Sequence, residues 1–190
     1  MKASIKVCVF ASGTGSNFQA IMETESLACE IVLLVCDRPG ALVIDKAKQK
    51  QIPVHVFDPT SYPSKQAYEE ELITVLRERE VTWIFLAGYM RIIGAHLLQA
   101  YHGRIVNIHP SLLPKFPGKD AIEKAYRAKV NKTGVTVHYI DEGIDTGPII
   151  AQQEVKIYPT DSLKTLTNRI QKVEHQLYPK VINQLIQNEG

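Results

Sequence analysis

The sequence predicts an α/β fold: a doubly wound, mostly parallel sheet with antiparallel strands near the C-terminus. Three observations carry this expectation. Short apolar runs alternate with amphipathic stretches from residue 5 to residue 108. The run Thr82-Trp83-Ile84-Phe85-Leu86-Ala87 is almost wholly apolar, as a strand covered on both faces must be. After Pro110, two strand-like runs at 134–140 and 148–157 are separated only by residues 141–147, a link that suits antiparallel pairing.

In chain order, residues 5–11 read as a first strand and 16–25 as a helix opened by Ser16. Residues 31–36 form a second strand that stops at the turn signal Asp37-Arg38-Pro39-Gly40. Residues 41–50 are helical and 54–57 a short third strand. Residues 64–80 read as a long helix with Ala67, Leu72, Val75 and Leu76 on one face. The fourth strand at 82–87, a helical stretch at 95–101 and a fifth strand at 104–108 follow. Residues 121–129 are helical. The chain closes with a helical region from 162 to about 187, capped by Asp161 or Ser162 and interrupted near Pro179.

Length and charge exclude several classes. A chain of 190 residues fits one domain, 1–190, and buries a core without metal or disulfide staples. With 22 Lys+Arg against 20 Asp+Glu and no block of like charge, no nucleic-acid surface is expected. No apolar stretch approaches the roughly 18 residues of a membrane span, so no membrane partner is expected either. Met1-Lys2-Ala3-Ser4, leading into a short run that contains Lys6, makes a poor signal peptide and a good strand. Cys8, Cys29 and Cys36 are too few for a disulfide framework or zinc site. These readings place the chain in the cytoplasm.

Three constellations could carry chemistry. Ser12-Gly13-Thr14-Gly15-Ser16-Asn17 lies between the first strand and first helix, where free amides favour an anion. Phe18 stands where a dinucleotide fingerprint needs its third glycine, so one phosphate or carboxylate fits better. A tight turn with Ser16 as N-cap is the plain alternative. In Asn107-Ile108-His109-Pro110, two polar side chains project to one side of a strand end, at the edge where open α/β sheets bind ligands. An amide beside an imidazole suits stabilisation of a developing oxyanion and movement of a proton. The acidic loop Asp141-Glu142-Gly143-Ile144-Asp145-Thr146-Gly147-Pro148 is, alone, an ordinary solvated turn. Folded over His109, one of its carboxylates would favour the imidazolium. His138 shares a strand face with Thr136 and is a candidate only for support. His55, His96 and His102 read as surface residues. No metal-ligand spacing occurs, so a metal-free reaction is expected.

Together, Ser12-Gly13-x-Gly15-Ser16-Asn17, then Asn107-Ile108-His109-Pro110-Ser111-Leu112-Leu113-Pro114 with Gly118, then His138 and Asp145-x-Gly147-Pro148 resemble the phosphoribosylglycinamide formyltransferase family. These are folate-dependent transformylases of de novo purine synthesis. The resemblance runs from Ile5 to about Ile186 and implies the formyltransferase fold, Rossmann-like in its N-terminal half. It implies formyl transfer from the co-substrate 10-formyltetrahydrofolate to the amine of 5′-phosphoribosylglycinamide, without metal, by a monomer or homodimer. Asn107, His109 and Asp145 match the family's catalytic trio. Gly15, Ser16 and Asn17 match its phosphate loop, and Glu174 its acid on the ribose side, with Gln171 where some members use lysine. Met90, Arg91, Ile92 and Ile93 match a folate wall, as does Asp141, Glu142, Gly143, Ile144 and Asp145. Lys65 stands where arginine is common near the folate tail. Asp120 and Ile122 replace histidines found in many members. Methionyl-tRNA formyltransferase adds a C-terminal domain and formyltetrahydrofolate deformylase an N-terminal one, and the sequence leads us to expect neither here. A non-catalytic binding module is disfavoured by the intact trio.

Overall fold

In the computed structural model, which describes residues 4–189, the strands are β1 (Lys6–Ala11), β2 (Glu30–Cys36), β3 (Val54–Val56), β4 (Trp83–Leu86), β5 (Ile105–His109), β6 (Lys132–Tyr139) and β7 (Ile149–Lys156). Met1, Lys2 and Ala3, on which the signal-peptide expectation partly rests, lie outside the described residues. The strands form one sheet in the order β3-β2-β1-β4-β5-β6-β7. β1 to β5 pair in parallel, whereas β6 runs antiparallel to both β5 and β7. The doubly wound, mostly parallel sheet with an antiparallel end is therefore as the sequence predicts.

The helices are α1 (Ser16–Met22), α2 (Leu42–Gln49), α3 (Lys65–Glu78), α4 (Ala95–Ala100), α5 (Ala121–Arg127) and α6 (Leu163–Gln187). Alternation along β1 shows why β1 and β2 are apolar after their first residues. Val7, Val9 and Ala11 enter the core under α1, α2 and α6, while Cys8 and Phe10 enter the one under α3 and α4. All three cysteines are free and buried, and burial pushes the Cys29 thiol up to about 12 and those of Cys8 and Cys36 upward too.

Two local expectations fail. The N-cap of α1 is Gly15, at φ 74°, with no side-chain cap; Ser16 is already helical, and the helix stops at Met22. Glycine reaches that left-handed torsion without the steric cost that a Cβ would bring. Pro179 does not interrupt the last helix, which is continuous from Leu163 to Gln187 behind a Ser162–Thr165 capping box. Proline fits helical φ, and its cost is the bond it cannot donate, about 3 kcal/mol. The buried neighbours Tyr178, Val181 and Ile182 offset that cost through packing.

After β1 the chain winds outward through β2 and β3, then returns to β4 on the other side of β1. The carboxyl ends of β1 and β4 thus flank a topological switch point, where open α/β sheets bind ligands. Tyr178, fully buried on α6, reinforces this rim by directing its hydroxyl at the carbonyls of Leu86 (2.8 Å) and Val106 (3.1 Å), on β4 and β5.

Candidate active site

His109 ends β5 and is 5% exposed. Its Nε2 lies 2.9 Å from the Phe116 carbonyl, so Nε2–H donates there, and its Nδ1 lies 3.5 Å from Asp145 Oδ2. Both ring nitrogens therefore face oxygen acceptors, an arrangement that the doubly protonated imidazolium satisfies and the neutral ring does not. Asp145 is held in turn by the Gly118 N–H, which donates to Oδ2 at 2.7 Å.

Asn107 sits two residues back on the same face and pairs across the sheet with His138 on β6. His138 is fully buried, and burial lowers its pKa, so it is neutral. Its Nδ1–H donates to the Tyr139 carbonyl at 2.9 Å, leaving the Nε2 lone pair to accept from Asn107 Nδ2 at 3.4 Å. This fixes which end of the Asn107 amide is the donor and leaves its second N–H for a ligand. Asp145 Oδ1 lies 3.7 Å from the same Nε2, but a neutral ring makes no ion pair there.

The acidic loop reaches His109 by folding back. Since β6 pairs Thr136 with His109 and Tyr139 with Val106, it runs away from the His109 edge. Gly147 permits the return: a Cβ there would lie 1.8 Å from the Tyr139 carbonyl oxygen. Asp141 braces the loop, its Oδ1 accepting from the Gly143 N–H (3.0 Å) and the Thr146 hydroxyl (2.7 Å). Glu142, Gly143 and Ile144 are exposed at its tip.

On the phosphate-loop side, Asn17 and Glu174 meet. Glu174 is 7% exposed, and burial pushes its carboxyl up to about 7, against a hydrogen bond from Asn17 that favours the anion. Asn17 Oδ1 is buried and unpartnered. Gln171 is half-buried, three residues before Glu174 on α6. Because the carboxyl is raised from about 4.5 to about 7, its burial costs nothing below pH 4.5 and its full amount above pH 7. Glu174→Gln should therefore gain stability over the wild type as pH rises through that window, by about 3 kcal/mol at most. Urea unfolding of both proteins at pH 5 and pH 8, without ligand, checks the difference.

Gly15 has no room for a side chain: a Cβ would stand 2.5 Å from Val43 Cγ2 and 3.0 Å from Val43 Cα. Gly15→Val should lower stability by about 2–4 kcal/mol through strain and overpacking, visible as a lower Tm. Asn17→Ala is the cleaner probe of the loop.

On the far side of the switch point, Met90, Ile92 and Ile144 are 57%, 56% and 56% exposed, while Ile93 is buried. Large apolar side chains left open beside a ligand edge suit a flat heteroaromatic ring. Arg91 turns its Nε onto Asp37 Oδ2 at 2.9 Å, and Lys65 Nζ donates to the Ile92 carbonyl at 3.0 Å. Both cations brace the wall's own chain. Sequence reasoning missed the backbone partners of the trio, the Phe116 carbonyl and the Gly118 amide, because main-chain groups leave no residue-type signal. It also missed Asp37, which reads as part of a turn, and undervalued His138, although cross-strand pairing with Asn107 was its available signal.

The formyl transferase family model matches residues 5–182, and phosphoribosylglycinamide formyltransferase of Bacillus subtilis (strain 168) is 55% identical over 184 residues, 95% of this chain and 94% of that protein. The chain belongs to the formyl transferase family. Among solved structures, phosphoribosylglycinamide formyltransferase from Bacillus halodurans matches with a TM-score of 0.94 and 54% identity, covering 97% of each chain. Glycinamide ribonucleotide transformylase 1 from Geobacillus kaustophilus matches with a TM-score of 0.94 and 56% identity, over 97% of this chain and all of that one. The protein is an enzyme, a formyltransferase of purine biosynthesis. Among the described residues no group of three or more His, Cys, Asp or Glu is disposed to hold a metal, and no helix is long and apolar enough to cross a membrane.

Proposed function

We propose that this formyltransferase moves the formyl group of 10-formyltetrahydrofolate onto the amine of 5′-phosphoribosylglycinamide, in the cytoplasm and as a step of purine synthesis. The observation that carries the reading is His109 set between the Phe116 carbonyl and Asp145, two residues from an Asn107 oriented by His138. The names of the relatives point to the same acceptor.

The acceptor's phosphate lies against the amides of Gly15, Ser16 and Asn17, which open α1. Asn17 and Glu174, with Gln171 alongside, receive the ribose hydroxyls; the unpartnered Asn17 Oδ1 supplies an acceptor. The folate is a co-substrate, consumed in the reaction. Met90, Ile92 and Ile144 cover its ring, Arg91, Ile93 and Lys65 support that wall, and residues 141–145 close over it. Holding both reactants side by side removes a large entropic part of the barrier. The amine nitrogen attacks the formyl carbon, and the oxygen of the resulting tetrahedral adduct takes charge. His109, kept protonated by Asp145, and the free Asn107 N–H stabilise that oxygen. The attacking nitrogen then loses a proton, the folate nitrogen gains one through a bridging water, and the bond from carbon to folate breaks.

The test is a transfer assay with both substrates, repeated without the acceptor. Formylated acceptor formed in step with tetrahydrofolate supports the reading. Equal folate release without acceptor would instead make the protein a hydrolase.

A further inference from the structure

One buried cluster links the root of the phosphate loop to the folate wall. Ser12 is the first residue after β1, at the root of the phosphate loop, and Asp37 is the first after β2. They are 1% and 3% exposed. The Ser12 hydroxyl donates to Asp37 Oδ1 at 2.5 Å and accepts from the Met90 N–H at 2.9 Å. Its amide donates to the Gly88 carbonyl at 3.1 Å. The second Asp37 oxygen takes the Arg91 Nε–H at 2.9 Å. One carboxylate and one hydroxyl thus join the root of the acceptor loop to two residues of the donor wall. A buried carboxylate needs such partners, because an unpaired one is costly.

Asp37 also stands at the end of the second strand, where dinucleotide-binding sheets keep an acid free for a ribose hydroxyl. Here Ser12 and Arg91 consume both oxygens. The other end of the donor wall is fastened separately. Glu69 on α3, 2% exposed, accepts from the Gly94 N–H (2.6 Å) and the Leu97 N–H (3.3 Å) at the start of α4. No group of the acceptor loop takes part in that second fastening.

We propose that Ser12 and Asp37 are positioning residues that couple the two substrate sites, so that binding of the phosphoribosyl acceptor tightens binding of the folate and the reverse. The proposal rests on the substrate reading above. Its physical basis is a shared frame: a ligand that orders the 12–17 loop also orders Met90 and Arg91, and the second ligand then meets less ordering cost. Linkage requires the two effects to be equal in size.

The experiment measures the dissociation constant of phosphoribosylglycinamide by calorimetry, with and without saturating tetrahydrofolate, which carries no formyl group and allows no turnover. For the wild type a threefold to tenfold tightening is expected. Ser12→Ala removes the hydroxyl that bridges Asp37 and Met90, and its factor should fall to within twofold of one. Arg91→Met severs the outer arm at a part-exposed side chain and should also lose most of the factor, which decides the matter if Ser12→Ala does not fold. Glu69→Gln loosens the donor wall from its other end. It should weaken tetrahydrofolate binding threefold or more yet keep the coupling factor, a split that general structural damage would not produce. A wild type that transfers formyl groups but shows no coupling overturns this proposal alone. Coupling retained in Ser12→Ala, or in Arg91→Met, also overturns it and assigns the effect to direct contact between the ligands. A wild type without transfer removes the substrate reading, and this proposal with it.

Discussion

His109→Ala is expected to lower kcat by about 10²–10⁴, with KM for both substrates changed far less. On the proposed mechanism the loss falls on kcat, because the ring would meet charge that exists only on the adduct oxygen, not on the bound formyl group. The ring is also the hub of the local bonding, facing Phe116 on one side and Asp145 on the other. Its removal leaves Asp145 with the Gly118 N–H and without its ring partner, so the 141–147 loop should loosen as well. Steady-state kinetics on a variant whose circular dichroism matches the wild type checks the expectation. A near-normal kcat would strip His109 of its role and leave Asn107 to act alone.

Asp145→Asn should lower kcat by about 10–10³ at pH 7. The substitution isolates charge from shape. Asp145 has φ 55°, a left-handed torsion that asparagine adopts readily, and an amide oxygen can still accept the Gly118 N–H. What disappears is the anion 3.5 Å from His109 Nδ1. Nitrogen-15 NMR of the ring should then show a changed Nδ1 resonance, because the anion facing that nitrogen is gone. Unchanged ring nitrogens together with a normal rate would reduce Asp145 to a loop residue.

The parts of this site that could be read in the sequence are those fixed by periodicity. Asn107 and His109 share a face because strands alternate, and they lie at the carboxyl edge because Pro110 ends the pairing. The early strands are equally legible, since helices on both faces leave β1 and β2 apolar after their first residues and β4 apolar throughout. Asp145 was different: only the family resemblance singled it out among three acids, because its approach depends on Gly147 pressing against Tyr139. Ser16 looks like a cap from its type alone, but the torsion that opens α1 belongs to the glycine before it. Pro179 looks like a break because the sequence shows the lost donor and hides the packing that outweighs it. Gly15 matches a phosphate loop by resemblance, but a side chain placed there meets Val43, a contact the sequence does not reveal.

The buried cysteines have a practical consequence. Disulfide exchange and alkylation require a thiolate exposed to reagent, and here burial both shields the sulfurs and disfavours their ionisation. Cys8 lies inside β1, whereas Cys36 is the last residue of β2, next to Asp37. Labelling of Cys8 by a coloured disulfide therefore clocks the opening of the parallel sheet itself. The molecule carries an intrinsic gauge of its own integrity, one that can be read beside the kinetics of every variant named above without attaching a probe.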